Sequence, residues 1–472
     1  MTALLLAIGL SLPALAAPAP ASATALSQSA APSATTASQP TLAPAAASAT
    51  VPASPSAESV GVSPSGETAA PASAGAAASA RRFVPIVEAD VRGALGKMSS
   101  DRWNGGVVGS VFALPAYRVA DRTTLLPIYA FAGGMLNQPV EVEDVLFLQM
   151  QQTHSLSLGV KQGLAGRLDG RLSVEGGWTI TRETRGETFG HGLYDYRDFG
   201  GRGSVTWDPG LSGRRSPVAA TVRLYERWYP NYGSLATEDA QNLITESPAL
   251  LAELGGREQH PKDFHAVEPG ASAAWWPTRS IQARLGWSTA FRAYTDRYLR
   301  TDQGALSGTR RADQLHRLTA GGTVRALPAV TTGLELTWIV NVSNQTVYNA
   351  GQPVHAYIPD FYDFSSMTLE PWVMWVVPVR RALKPRVRLG GFLLTRAFAG
   401  RLTQYPDGTY TDSRQHDAFW GADLAGWYPL NRWLSVAVGV NARVARSNNL
   451  SEQSIRYRYE GLACSLGVAI SY

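Results

Sequence analysis

The sequence predicts an all-β protein: a single closed antiparallel β-barrel of about sixteen strands that spans a membrane. Three observations predict this fold. Apolar and polar residues alternate with a period of two over stretches of about ten residues. Short turns rich in Pro, Gly, Asn and Asp alternate along the chain with mostly longer polar connections. Aromatic residues stand at strand ends beside the short turns, as they do at a membrane interface: Tyr117, Trp207, Trp275, Trp276, Trp427, Tyr428, Trp433 and Tyr472.

The first 80 residues differ in composition from the rest of the chain. Residues 1–16 are mostly apolar and end in Ala-Leu-Ala, a signal-peptidase pattern that predicts a signal peptide. Residues 17–80 are mostly Ala, Pro, Ser, Thr and Val, with Glu58 and Glu67 as the charged residues. Such a segment cannot bury enough apolar surface to fold, so we expect a disordered spacer. The alternative is a tether to a partner or to the cell wall.

Composition excludes several classes of protein. After residue 16, no run reaches the roughly 18 apolar residues that a membrane-spanning helix needs. The chain has one cysteine, Cys464, so it has no disulfide and no Cys/His metal framework. The net charge is +5 and the basic residues are scattered, which argues against a nucleic-acid partner. No catalytic, cofactor or metal motif is present.

From residue 81 to 472, strand-like runs alternate with two kinds of connection. Seven short turns lie at 118–123, 164–170, 208–217, 276–279, 326–329, 377–385 and 428–432. Eight mostly longer loops lie at 98–105, 133–149, 182–197, 229–262, 296–312, 344–361, 401–413 and 446–453. Together they join sixteen strands, although 14 to 18 would fit the same pattern. An even count places both ends of the barrel domain on the side of the short turns.

The terminal strand carries the clearest alternation. Leu462, Cys464, Leu466, Val468, Ile470 and Tyr472 fall on one face, and small residues fall on the other. The chain resembles a bacterial outer-membrane β-barrel of the porin-like kind over residues 85–472. Within it, Leu466, Val468, Ile470 and Tyr472 resemble the C-terminal signal that the barrel-assembly machinery reads. The resemblance implies an outer-membrane location, periplasmic turns, extracellular loops, and lipid and that machinery as partners.

Two prolines interrupt the strand pattern. Val267-Glu268-Pro269 and Leu369-Glu370-Pro371 occupy the same place in two strands that run inward from the loops. Proline cannot donate to the ladder, and a closed barrel has no free edge, so we expect a β-bulge at each.

The strand phases also predict which charged residues line the lumen. The basic residues are Arg171, Arg202, Arg223, Arg284, Arg292, Arg325, Arg388, Arg396 and Arg443. The acidic residues are Glu175, Glu268, Glu335, Glu370 and Asp423. Nine positive groups against five negative ones predict a modest preference for anions. The alternative is that these residues pair across neighbouring strands and only stabilise the wall.

We expect an aqueous channel for passive passage of cargo, because barrels of this size are wide enough for one. The size, the long spacer and the basic lumen favour export of a secreted polysaccharide, with periplasmic export components as further partners. A general small-solute porin is the first alternative. A surface enzyme or adhesin that uses the loops is the second, since all seven histidines fall on loops or strand tops: 154, 191, 260, 265, 316, 355 and 416.

One measurement tests the lumen assignment. Replacing Arg284 and Arg388 by Glu should move the ion selectivity of the channel toward cations, because a ring of like charge biases permeation. The reversal potential in a salt gradient across a planar bilayer reports this shift. An unchanged reversal potential would remove these two arginines from the selectivity of the pore.

Overall fold

A computed structural model gives the conformation of residues 83–98, 103–142, 145–184, 188–192, 194–232, 260–349, 354–379, 383–451 and 458–472. The predicted signal peptide and spacer, residues 1–16 and 17–80, lie outside the described residues.

Within the described part of the chain, sixteen antiparallel strands form one closed sheet, as predicted. A separate hairpin joins two short strands, β12 (Val347–Tyr348) and β13 (Tyr357–Ile358). The barrel strands are β1 (Phe83–Met98), β2 (Asn104–Ala120), β3 (Thr123–Val142), β4 (Val145–Ala165), β5 (Leu168–Thr184), β6 (Tyr196–Trp207), β7 (Val218–Trp228), β8 (Phe264–Thr278), β9 (Ile281–Arg300), β10 (Leu306–Leu327), β11 (Val330–Ser343), β14 (Phe364–Val376), β15 (Arg386–Gln404), β16 (Tyr410–Pro429), β17 (Leu434–Ser447) and β18 (Tyr459–Ser471).

The barrel closes where its first and last strands pair. The β1–β18 ladder runs from Glu88 opposite Ser471 to Met98 opposite Gly461. At its end, Tyr472 donates its N–H to the carbonyl of Val87 at 2.8 Å. Val87 donates its own N–H back to the carbonyl of Tyr472 at 3.0 Å. The last residue of the chain therefore takes part in the closure.

The outward face of the sheet is apolar and exposed. Leu172 is 71% exposed, Val174 56%, Leu224 54% and Leu466 62%, and they alternate with less exposed inward residues. A protein in water rarely exposes so large a continuous apolar surface, whereas a barrel in a bilayer requires one. A closed sheet leaves no unpaired edge in hydrocarbon. The protein is thus an integral outer-membrane β-barrel.

The described residues contain one helical segment, the short turn Leu211–Gly213, and no helix there is long and apolar enough to cross a membrane.

Aromatic side chains surround the periplasmic end of the apolar band. Each of the following is at least 43% exposed: Tyr117, Trp207, Trp275, Tyr428, Trp433 and Tyr472. The prediction for Trp427 was wrong. It alternates with the exposed Tyr428, and the guanidinium of Arg92 lies 6.0 Å from its ring centroid on the inner side. A residue one position from an outward aromatic must face inward, since the strand period is two.

Three predicted loops are largely strand. Residues 133–149, 296–312 and 401–413 were expected to connect strands, yet β3 extends to Val142 and β9 to Arg300. Several strands reach 20 residues or more, which is about twice the length that a tilted strand needs to cross a bilayer. These hairpins therefore project beyond the membrane on the extracellular side.

The prediction of a β-bulge at Pro269 and Pro371 was also wrong. The β8–β9 register passes from Val267–Phe291 to Gly270–Ser288 without a shift, and β14–β15 behaves the same way around Pro371. On its other side, Pro269 stays in register with Val222 of β7. Each proline thus interrupts one ladder locally without inserting an extra residue.

A charge placed in the apolar band should destabilise the barrel in proportion to its depth. Val174→Arg lies mid-strand and should lower the free energy of unfolding by about 2–4 kcal/mol, against roughly 0–1 kcal/mol for Val119→Arg beside a periplasmic turn. Urea titration of the barrel in lipid vesicles measures both. Equal losses would argue against a lipid-immersed band.

Candidate functional site: the inner wall of the barrel

Thirteen of the fourteen predicted lumen residues stand next to an exposed residue; Arg284, for example, precedes Leu285, and Glu335 follows Leu334. Arg202 lies between two glycines that are not exposed, and its ion pair with Glu175 places it on the same face as that residue. Arg325 lies at the periplasmic end, where its guanidinium donates to the carbonyl of Pro328 at 3.1 Å. Placement on this face does not decide whether these residues select cargo, and that role stays a prediction.

Four of the nine predicted arginines form ion pairs with predicted acids. Glu175 forms ion pairs with Arg202 and Arg223, each at 3.0 Å, and accepts a hydrogen bond from Nε of Arg223. The other two pairs are Arg284 with Glu335 at 2.9 Å and Arg388 with Asp423 at 4.0 Å. Two of these contacts join adjacent strands and two reach across one intervening strand, and each cancels charge locally. For these arginines, the geometry favours the alternative in which they stabilise the wall.

The Arg284–Glu335 pair reaches across an intervening strand. Arg284 belongs to β9 and Glu335 to β11, so the side chain must cross β10 at Gly321. A Cβ atom at Gly321 would lie 2.9 Å from Nε of Arg284. The glycine therefore leaves the space through which the guanidinium passes.

Toward the extracellular end, arginines lie against aromatic rings. We call this set the arginine–aromatic arc; it runs along the neighbouring strands from β6 to β15. Its members, with distances to the ring centroid, are Arg227 with Tyr196 (4.0 Å), Arg292 with Phe264 (5.2 Å), Arg311 with Tyr294 (4.4 Å) and Tyr362 (4.3 Å), Arg396 with Phe364 (5.0 Å), and Arg401 with Phe398 (4.4 Å) and Phe361 (4.5 Å). Each contact lies within the range of a cation–π interaction.

Three members of the arc were not predicted from the sequence: Arg227, Arg311 and Arg401. A local signal was present in the dipeptides Asp195-Tyr196, Asp263-Phe264 and Asp363-Phe364, which end three of the extracellular connections. In each dipeptide the aromatic residue begins a strand and contacts an arginine of the arc.

The aspartates of these dipeptides fasten the strand tops. The backbone N–H of Thr181 donates to Asp195 at 2.7 Å, that of Tyr229 to Asp263 at 2.7 Å, and that of Ser343 to Asp363 at 2.6 Å. Each carboxylate thus closes the root of its hairpin. Burial of the Asp263 and Asp363 side chains raises the pKa of both carboxyls, because a charged carboxylate is less stable away from water.

A hydrogen bond between a serine and an aspartate occurs in the same way at the ends of two other hairpins. The hydroxyl of Ser343 donates to Asp313 at 2.5 Å, and the hydroxyl of Ser447 donates to Asp417 at 2.8 Å. Both aspartates are buried on the inner side, next to arginines of the arc. Both carboxylates therefore accept hydrogen bonds from other residues of the wall.

The described histidines are distributed over several strands and loops. His154 is stacked on Trp178 at 4.6 Å, and its Nδ1 lies 3.0 Å from the hydroxyl of Tyr129. His265 lies 2.8 Å from Glu226, and His355 lies 2.8 Å from Asp412. Throughout the described ranges, no group of three or more His, Cys, Asp or Glu side chains could hold a metal ion.

No protein-family model matches the chain, and no curated protein matches it either. Several solved structures are similar in outline. One is described as a bacterial polysaccharide outer membrane secretin, with 9% identity, a TM-score of 0.37, and 82% of this chain and 98% of that chain covered. Another is Acinetobacter baumannii OccAB3, with 6% identity, a TM-score of 0.41, and 82% and 99% covered.

Pseudomonas aeruginosa OccD3 (OpdP) is similar at 9% identity and a TM-score of 0.39, with 82% of this chain and 91% of that chain covered. Matches at such low identity and TM-score carry no weight for function. The assignment of the fold rests on the closed sheet and its apolar outer face.

The loop-root hydrogen bonds should stabilise the barrel measurably. Asp363→Ala leaves the buried N–H of Ser343 without its acceptor and should cost about 1–3 kcal/mol of unfolding free energy. Asp363→Asn keeps an acceptor oxygen and should cost less than half as much. Urea titration in lipid vesicles compares the two. If Asn is as damaging as Ala, the charge of Asp363 matters more than its hydrogen bond.

Proposed function

We propose that the barrel is an aqueous channel of the outer membrane through which a secreted polysaccharide passes passively. The arginine–aromatic arc, on the inner wall of a closed sixteen-stranded sheet, carries the proposal. Barrels of this strand number are wider than their inward side chains can fill, as in porins. A polar wall with fixed positive groups around the lumen gives a hydrated solute contacts at several points of the circumference.

The extent of the arc favours a polymer over a small solute. Arg227 on β7 and Arg401 on β15 lie at opposite ends of the arc, and the intervening strands carry Arg292 and Arg311. A small solute occupies one such contact at a time. A chain of sugar units contacts several at once, and each contact can be weak enough to permit movement.

The proposal includes partners. Outer-membrane lipid covers the apolar band, and the barrel-assembly machinery would read Leu466, Val468, Ile470 and Tyr472. Periplasmic export components would deliver the polymer to the periplasmic end.

The refolded barrel should conduct. In a planar bilayer it should give stepwise increases in current, because water and ions fill a lumen of this size. The bilayer without protein and the heat-denatured protein are the controls. An intact barrel that inserts and yet carries no current would contradict the open channel.

Size selection separates the proposal from a general small-solute porin. Liposomes containing the barrel should release maltoheptaose and longer glucose polymers, whereas a small-solute porin should release only the short sugars. Release that stops below maltoheptaose would favour the porin.

A further inference from the structure

We infer that Arg292 and Arg396 form two anion-binding subsites for an acidic polysaccharide, one whose sugar units carry carboxylate or a similar anion. The inference rests on the proposed channel function and specifies its substrate class. Both arginines lie on the inner face of the arc, Arg292 on β9 and Arg396 on β15.

The two arginines keep their positive charge available. Among the described residues, neither makes a salt bridge with a carboxylate, and because the Nε of each is buried, an anion would meet the two Nη groups. Arg292 lies over Phe264 and Arg396 over Phe364. Their neighbours in the arc differ, because Arg227 is paired with Asp198 at 2.6 Å and Arg311 with Asp313 at 2.7 Å.

A ring and a carboxylate affect a guanidinium differently. A carboxylate orients the guanidinium and also cancels its charge, as Glu335 does for Arg284. A ring contacts one face of the guanidinium and leaves its net charge intact. The N–H groups at the edge stay in the plane in which an anion binds with two hydrogen bonds. Arg292 and Arg396 are thus partly oriented before any anion arrives.

The acid opposite Arg396 in the sheet is otherwise engaged. Asp417 is opposite Arg396 in the β15–β16 register, but it accepts hydrogen bonds from Ser447 at 2.8 Å and from Gln415 at 2.9 Å. It therefore lowers the local positive potential without occupying the guanidinium.

The two subsites are built alike and stand apart. Phe264 and Phe364 each follow a loop-root aspartate, Asp263 and Asp363, so both rings are fixed in the same way. Four strand spacings separate β9 from β15, on the order of 19 Å along the wall at about 4.8 Å per strand. One small anion cannot contact both sites, whereas one polymer can, and it then gains from the linkage of its charges.

Block of the ionic current by defined oligosaccharides tests the inference. Oligogalacturonate added to the conducting barrel should block the current, and galacturonic acid alone should bind much more weakly. In the double variant R292Q/R396Q the Kd of oligogalacturonate should rise about 10-fold or more, since hydrogen bonds to charged groups are lost at both sites. Neutral maltoheptaose should bind wild type and variant equally.

The matched control is R284Q/E335Q, which removes a carboxylate-paired arginine together with its partner and so leaves the net charge of the wall unchanged. It should change the Kd of oligogalacturonate less than about twofold. Equal losses of affinity in both double variants, or equal block by maltoheptaose and oligogalacturonate in the wild type, would overturn the inference.

A wild-type barrel that conducts but is not blocked by oligogalacturonate overturns this inference and leaves the channel function intact. A barrel that does not conduct contradicts the channel, and equilibrium dialysis against oligogalacturonate then decides the binding separately.

Discussion

The pairing of β1 with β18 is the contact on which the rest of the molecule depends. An unpaired backbone N–H or carbonyl in hydrocarbon costs several kcal/mol, so a membrane sheet must close on itself. Here the closure extends to the last residue, where Val87 and Tyr472 exchange two backbone hydrogen bonds. Closure creates an inside and an outside, and the period of two then assigns each side chain to one of them.

The inner wall uses two ways to fix an arginine, and they have different consequences. In the middle of the wall, Arg202, Arg223 and Arg284 pair with carboxylates across strands, which stabilises the sheet and neutralises charge. Toward the extracellular end, Arg292 and Arg396 lie against phenylalanine rings, which orient the side chains without neutralising them. The same residue type is therefore neutralised by carboxylates in one region of the wall and placed against rings in another.

The extracellular ends of the strands connect this chemistry to the backbone. Asp195, Asp263 and Asp363 accept N–H groups from neighbouring strands, and the aromatic residue after each one turns inward. A ring fixed at its backbone gives the arginine beside it a fixed partner. The loop roots thus act on the arc by fixing the position of its rings.

The sequence by itself determined the closed barrel and its approximate number of strands, and it predicted a face for many of the charged residues, because alternation with a period of two is a local property. It also determined the outward band and most of its aromatic border. It did not determine the strand ends above the membrane, as at residues 133–149, because a strand exposed to water on both faces needs no alternation. Only the tertiary structure decided which charges meet: Arg284 reaches Glu335 across Gly321, whereas Arg292 and Arg396 meet rings. Those partners depend on the register between strands that are distant in the chain, and local periodicity does not specify that register.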